Sequence, residues 1–140
     1  MPQFSMWSIS KLSTCHKDLQ TLFNEVIKNF DCIVLEGHRD QAAQDKAFSE
    51  GKSQLKYPDG KHNSNPSHAV DVSPYPIIWS NINRFYWFAG YVMGIAQKLY
   101  DEKKMTHKIR FGGDWNNDKN ITDNKFNDLV HYEIITQDKQ

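Results

Sequence analysis

Two short apolar runs, each interrupted by residues that an apolar strand does not normally carry, constrain this chain most. In AVDV (69–72) an Asp sits among small and β-branched neighbours, and in LVHYEII (129–135) a His and a Glu do. β-Branched and aromatic residues favour strands, and prolines at 66, 74 and 76 bound the first run to a few residues. A bare carboxylate in such a strand is costly unless a cation or hydrogen bonds compensate it. Strand alternation puts His131 and Glu133 on one face and Tyr132 on the other. Asp128 stands just before the second run, and His62 lies nine residues before Asp71. If the two strands are neighbours, two imidazoles and a carboxylate from distant parts of the chain converge on one sheet face, with a spare carboxylate beside them. Catalytic zinc takes that set: three protein ligands, a fourth position left to water, and a nearby base to accept the water's proton. The competing reading is chance, since six His in 140 residues make accidental pairs easy and an isolated His is more often at the surface or satisfied in a core.

The remaining pattern is that of an α+β domain. Leu12, Leu19, Leu22, Phe23, Val26 and Ile27 recur at three- and four-residue spacing and predict one helix over 8–29, with Ser13 or Thr14 as a cap within it. DCIVLEG (31–37) predicts a buried strand ending at Gly37, residues 40–50 a second helix, and 51–66 a loop carrying His62. Residues 84–104 predict the longest helix, with Phe85, Phe88, Ala89, Val92, Ile95, Ala96 and Leu99 on one side and Gly90 and Gly94 allowing close packing. Strands at 108–112 and 129–135, separated by a loop over 113–127, complete one domain spanning 1–140, an antiparallel sheet with packed helices. The aromatic residues of 75–91 read as core, with Tyr75 and Trp79 as candidates to edge a groove.

KHNSNPSHAVDVSPYP (61–76), FGGDWNND (111–118) and DLVHYE (128–133) together resemble the LAS-type zinc peptidases, the group of D-Ala-D-Ala carboxypeptidases and dipeptidases and phage L-alanyl-D-glutamate endolysins. EGHRDQAAQDKAFSEGKS (36–53) extends the match: it resembles the family's Gly-x-Arg segment, with a Gln five residues after the Arg. The resemblance implies a Hedgehog/DD-peptidase-like fold, one zinc ion on His62, Asp71 and His131, Asp128 as general base, and Arg39 with Gln44 as substrate and transition-state contacts. The chain departs from the pattern at one point. Many members have their first His seven residues before the Asp, where this chain has Ser64, which cannot replace an imidazole. His-Asn-x-x-Pro-Ser-x-Ala-Val-Asp instead resembles a longer-loop form in which His62 serves. His68, the rival, lies three residues before Asp71 and so on the opposite face of a continuous strand, which leaves it a supporting, substrate-facing or merely exposed role.

Composition narrows the partners. Zero formal charge, with no basic stripe among the aromatics, argues against nucleic acid. No stretch approaches the roughly twenty apolar residues of a membrane span, and MPQFSMWSISKLS has no basic region followed by an apolar one, so no export signal is expected. A wall peptidase without one is expected to stay in the host cytoplasm until lysis and then reach the wall, as a monomer without a separate wall-binding module. Cys15 and Cys32 fit no metal spacing and are read as free thiols, although spacing alone leaves a disulfide possible. Asp114, Asp118 and Asp123 in the 113–127 loop offer oxygen donors of the kind calcium takes, but at a spacing unlike an EF-hand, and a solvated turn-rich loop is the favoured reading. Trp115 is read as a wall of the cleft or an anchor of that loop, and Glu133 as the orienter of a ligand imidazole or half of a structural ion pair. Three functions follow: an L-alanyl-D-glutamate endopeptidase of a phage endolysin, a D-alanyl-D-alanine carboxypeptidase with the same site, and a catalytically silent zinc-bearing module. Retention of Asp128 argues against the last.

Overall fold

The computed structural model describes residues 2–124 and 126–136. Two helices, α1 (Met6–Leu12) and α2 (Lys17–Val26), precede strand β1 (Cys32–Glu36) and helix α3 (Gln41–Ser49). A single 3-10 turn at Lys61–Asn63 leads into β2 (Ala69–Pro74), the long helix α4 (Ile82–Asp101), β3 (Ile109–Phe111) and β4 (His131–Ile134). The strands form one sheet in the order β1-β2-β4-β3, every pair antiparallel. The expected α+β architecture with an antiparallel sheet is therefore present.

Period-two alternation divides that sheet into a core face and a site face. Val70, Val72, Tyr132 and Ile134 are buried against Leu19, Leu22, Phe23 and Val26 of α2 and Phe88 and Val92 of α4. Each such side chain contributes about 1.5–3 kcal/mol of transfer free energy. The alternate positions, Asp71 on β2 and His131 and Glu133 on β4, take the other face. Register makes the placement sharp: Asp71 pairs directly with His131 across the β2–β4 ladder, and with Glu36 on β1. Directly opposed residues in an antiparallel pair hold their Cβ atoms about 4.5–5.5 Å apart, so two strands joined by a long excursion bring these side chains together without any flexible loop.

The predicted helix over 8–29 is two helices. Ser13 closes α1 and His16, not Ser13 or Thr14, caps α2 through its Nδ1, which accepts the Asp18 N–H at 3.0 Å. Between them Ser67 N–H donates to Thr14 O at 2.9 Å and His16 N–H donates to Ser67 O at 2.8 Å. The backbone groups freed by the break are thus taken up by the segment entering β2. The apolar period runs through the interruption because both helices bury the same side. Gly90 and Gly94 do not serve close packing: a Cβ added at either meets nothing within 4 Å among the described residues, and both line an open groove beside β3. Cys15 and Cys32 are free and buried, and burial pushes both thiols up to about 12.

Candidate metal centre and active-site cleft

Asp71, His62 and His131 meet on the site face. His62 is held by the 3-10 turn, whose position is fixed from β1 outward: Arg39 N–H donates to His62 O at 2.8 Å, and the Asn63 side chain accepts from Gly60 N–H at 2.8 Å. His62 Nε2 lies 3.2 Å from Asp71 Oδ1, and His131 Nδ1 lies 3.4 Å from the same oxygen. One ligand atom from each of the three falls within 4.8 Å of the others. His68 is elsewhere, its ring edge-on to that of His16 at 5.8 Å.

The outer nitrogen of each imidazole decides what its inner nitrogen can do. His62 Nδ1 faces the Gly37 carbonyl at 2.8 Å, an acceptor only, so it must carry the proton. His131 Nε2 faces Glu133 Oε1 at 2.8 Å and must do the same. Neutral imidazoles so oriented turn the lone pairs of His62 Nε2 and His131 Nδ1 onto a carboxylate oxygen that is itself only an acceptor. Three acceptors converging in a buried place call for a positive charge among them, which either a proton on His131 or a bound metal ion supplies. Without a metal the proton fills that role: burial alone would lower the His131 pKa, but hydrogen bonds to Asp71 and Glu133 override it and raise it to about 10. Burial works against the charged form of Asp71 as well, and the two imidazoles overcome it and hold the carboxyl well below its ordinary range. Two imidazoles and one carboxylate with both imidazoles oriented by outer acceptors fit a catalytic divalent ion of the zinc type.

A second group, His16, Asp18 and His107, also gathers within 4.8 Å. Its wiring differs. Asp18 Oδ2 accepts from His107 Nδ1 at 2.8 Å, from Thr106 Oγ1 at 3.0 Å and from Thr106 N–H at 3.1 Å, while His16 Nδ1 accepts the helix N-terminal N–H. Its inner nitrogens are spent on hydrogen bonds that tie α2 to the approach to β3.

Around the first group lies an open cleft of about 1230 Å³. Asp128 lines it, with Oδ2 4.0 Å from His131 Nδ1, and burial together with the charge of Asp71 raises its carboxyl above the ordinary 3.8. Arg39 also lines it, Nη2 3.7 Å from Asp71 Oδ2 and Nε 3.7 Å from Glu36 Oε2. Gln44 is fully buried beneath Arg39: its Oε1 accepts from Arg39 Nη1 at 3.0 Å and Asn63 Nδ2 at 3.2 Å, and its Nε2 donates to Leu55 O at 2.7 Å and Ser53 Oγ at 3.0 Å. Trp115 walls the cleft with its ring 5.4 Å from that of His131, its indole N–H donating to Phe126 O at 2.6 Å.

Residues 1–135 match the sequence profile of the phage L-alanyl-D-glutamate peptidases. The chain belongs to that family. It is accordingly a peptidoglycan peptidase, a hydrolase of the amide bond. No curated protein matches it in sequence. Among solved structures, the Serratia marcescens L-Ala D-Glu endopeptidase ChiX superposes with a TM-score of 0.71 at 22% identity, over 98% of this chain and 93% of that one, which establishes a shared fold. No helix of this peptidase among the described residues is long and apolar enough to cross a membrane.

Two contributors escaped the sequence reading. Arg110 donates to Glu133 Oε2 from Nη2 at 3.0 Å and Nε at 3.3 Å, and Nη1 reaches Trp115 O at 3.4 Å, so it fixes the carboxylate that orients His131. Burial would raise the Glu133 pKa, but His131 and Arg110 together lower it, keeping it an acceptor. The other is the Gly37 carbonyl, a backbone group that no side-chain pattern announces. The 113–127 loop largely closes on itself: Asp114 accepts from Asp118 and Lys119 N–H, and Asp118 from Asn120 N–H, which are the turns its Asp and Asn content predicts.

Proposed function

We propose that this peptidase hydrolyses the L-alanyl-D-glutamate bond of the peptidoglycan stem peptide with one zinc ion held by His62, Asp71 and His131. The observation that carries the reading is the pair of outer acceptors, Gly37 O and Glu133 Oε1, which turn both imidazole lone pairs inward toward Asp71 at the floor of an open cleft. When bound, the ion would supply Lewis acidity, lowering the pKa of a water and polarising the scissile carbonyl. Asp128 is the general base: its position against His131 lets it take a proton from the attacking water, and its raised pKa lets it return that proton to the leaving amine. Arg39 presents its guanidinium to the cleft, where it stabilises the developing oxyanion or holds a substrate carboxylate. Gln44 acts through Arg39, since every polar atom of its amide is engaged by protein groups. As the product of a phage lysis system, the enzyme would remain in the host cytoplasm until the membrane is breached and then act on the wall.

Mass analysis of fragments released from purified peptidoglycan tests the choice of bond. The expected product is a stem peptide that begins at the free amine of D-glutamate, with L-alanine left on the glycan. Release of free D-alanine would instead identify a carboxypeptidase, and release of neither would remove the peptidase reading of this site.

A further inference from the structure

Trp79 is 59% exposed, yet it is held still. Its ring stacks on that of Phe85 at 5.5 Å with only 10° between the planes, and Phe85 is itself 2% exposed. An indole pinned flat from beneath loses little side-chain freedom when something lies on its other face, so its apolar surface is available for binding at low entropic cost. Trp79 lines the same cleft as Arg39, His62, Asp71 and His131.

Sheet order gives the cleft two sides. The connection carrying Trp79 leaves the Pro74 end of β2 beside the start of β1, with Tyr75 N–H donating to Asp31 O at 3.0 Å, whereas Arg39 follows the opposite end of β1. Asp128 and Trp115 lie toward β3, where Asp128 N–H donates to Gly112 O at 2.9 Å. In the mechanism above Asp128 returns a proton to the leaving amine, so the D-glutamyl half belongs on the β3 side. The acyl half, L-alanine and whatever is attached to its nitrogen, then runs across the sheet toward the β1 edge, where Trp79 stands at the Pro74 end of β2. In a wall stem peptide that attachment is the lactyl group of a muramyl sugar, so a sugar follows after a spacer of about one residue length, ~3.8 Å from the alanine Cα to the lactyl carbon, and one ether oxygen.

We infer that Trp79 is a specificity-determining platform for this sugar, the C–H face of the pyranose lying on the exposed face of the indole. The inference rests on the endopeptidase reading. It makes the enzyme one that measures glycan attachment as well as peptide sequence, with Trp79 contributing to substrate binding and not to the chemical step.

The test compares two substrates, a disaccharide-linked stem tetrapeptide and the same tetrapeptide without sugar, with wild-type enzyme, Trp79→Ala and Trp79→Phe. Truncation of this exposed ring should raise KM on the sugar-linked substrate by about tenfold, the factor an aromatic contact of this size supplies, with kcat near wild type. Activity on the sugar-free peptide should change less than about twofold, and Trp79→Phe should recover most of the loss. Equal losses on both substrates, or no loss on the sugar-linked one, would overturn the inference while leaving the endopeptidase reading intact. A wild-type enzyme that cleaves neither substrate would overturn that reading itself, and the inference with it.

Discussion

Replacing Glu133 by Gln keeps the size of the side chain and removes one charge, yet the geometry predicts a large effect on metal affinity. Glu133 is 5% exposed and serves two donors at once, His131 Nε2 at 2.8 Å through Oε1 and Arg110 at 3.0 and 3.3 Å through Oε2. A carboxamide has only one acceptor oxygen. If that oxygen stays with His131, the NH₂ group faces the Arg110 guanidinium, donor against donor. If it turns to Arg110, the NH₂ group faces His131 Nε2, which must then accept, and the ring proton moves to Nδ1, the atom 3.4 Å from Asp71 Oδ1. A protonated Nδ1 is not a ligand. Loss of such an orienting partner costs about 10–100-fold in metal affinity, and the lost charge-assisted hydrogen bonds cost about 1.5–3 kcal/mol of folding stability. Chelator competition for zinc, beside denaturant unfolding of the metal-free protein, measures the two separately. An affinity within about twofold of wild type, far inside the range expected for an outer partner, would show that Glu133 does not set the His131 tautomer and would refute the reasoning.

Further consequences concern the frame of the site. Gly112 lies where β3 passes the Asp128–His131 turn, and a Cβ there would collide with Asp128 O and press on His131 Cβ at 3.0 Å, so Gly112→Ala should cost about 1–3 kcal/mol in unfolding experiments and lower activity beyond the unfolded fraction. Asp18 has its carboxyl lowered: burial opposes this, but hydrogen bonds from His107 and Thr106 prevail. A depressed folded-state pKa contributes stability that is complete above the unfolded value near 3.8 and is lost as pH falls through the folded value. Asp18→Asn should therefore lower stability at neutral pH and flatten its decline below about pH 4, as read from denaturant midpoints across pH. An unchanged acid slope would contradict the role given to the Asp18 carboxylate.

The site strands were legible because their chemistry conflicted with their surroundings. Asp71 among Ala69, Val70 and Val72, and His131 and Glu133 around Tyr132, fall on one face by alternation, and the structure pairs them as that alternation requires. The single helix expected over 8–29 was a local inference defeated by a distant segment: nothing in 13–16 reveals that Ser67 will bond on both sides of the break. Gly90 and Gly94 misled for a related reason, since glycine in a helix marks small volume but does not say whether a neighbour fills it. Arg110 sits in a three-residue strand with no pattern of its own, and its role appears only when β3 is laid against β4. Gln44 was named only through the family resemblance of the 36–53 segment, and the fold shows that it lies beneath Arg39 with its amide fully engaged.

Zinc bound per folded chain, determined by elemental analysis for wild type and for His62→Ala, His131→Ala, His68→Ala and Asp128→Asn, tests the central claim most directly. The account predicts one zinc in wild type, in His68→Ala and in Asp128→Asn, and loss of zinc in His62→Ala and His131→Ala. Asp128→Asn should keep its metal while losing about 10²–10⁴ in the rate of peptidoglycan cleavage, because it removes proton transfer alone. Zinc retained by His62→Ala and shed by His68→Ala would contradict the assignment of the centre.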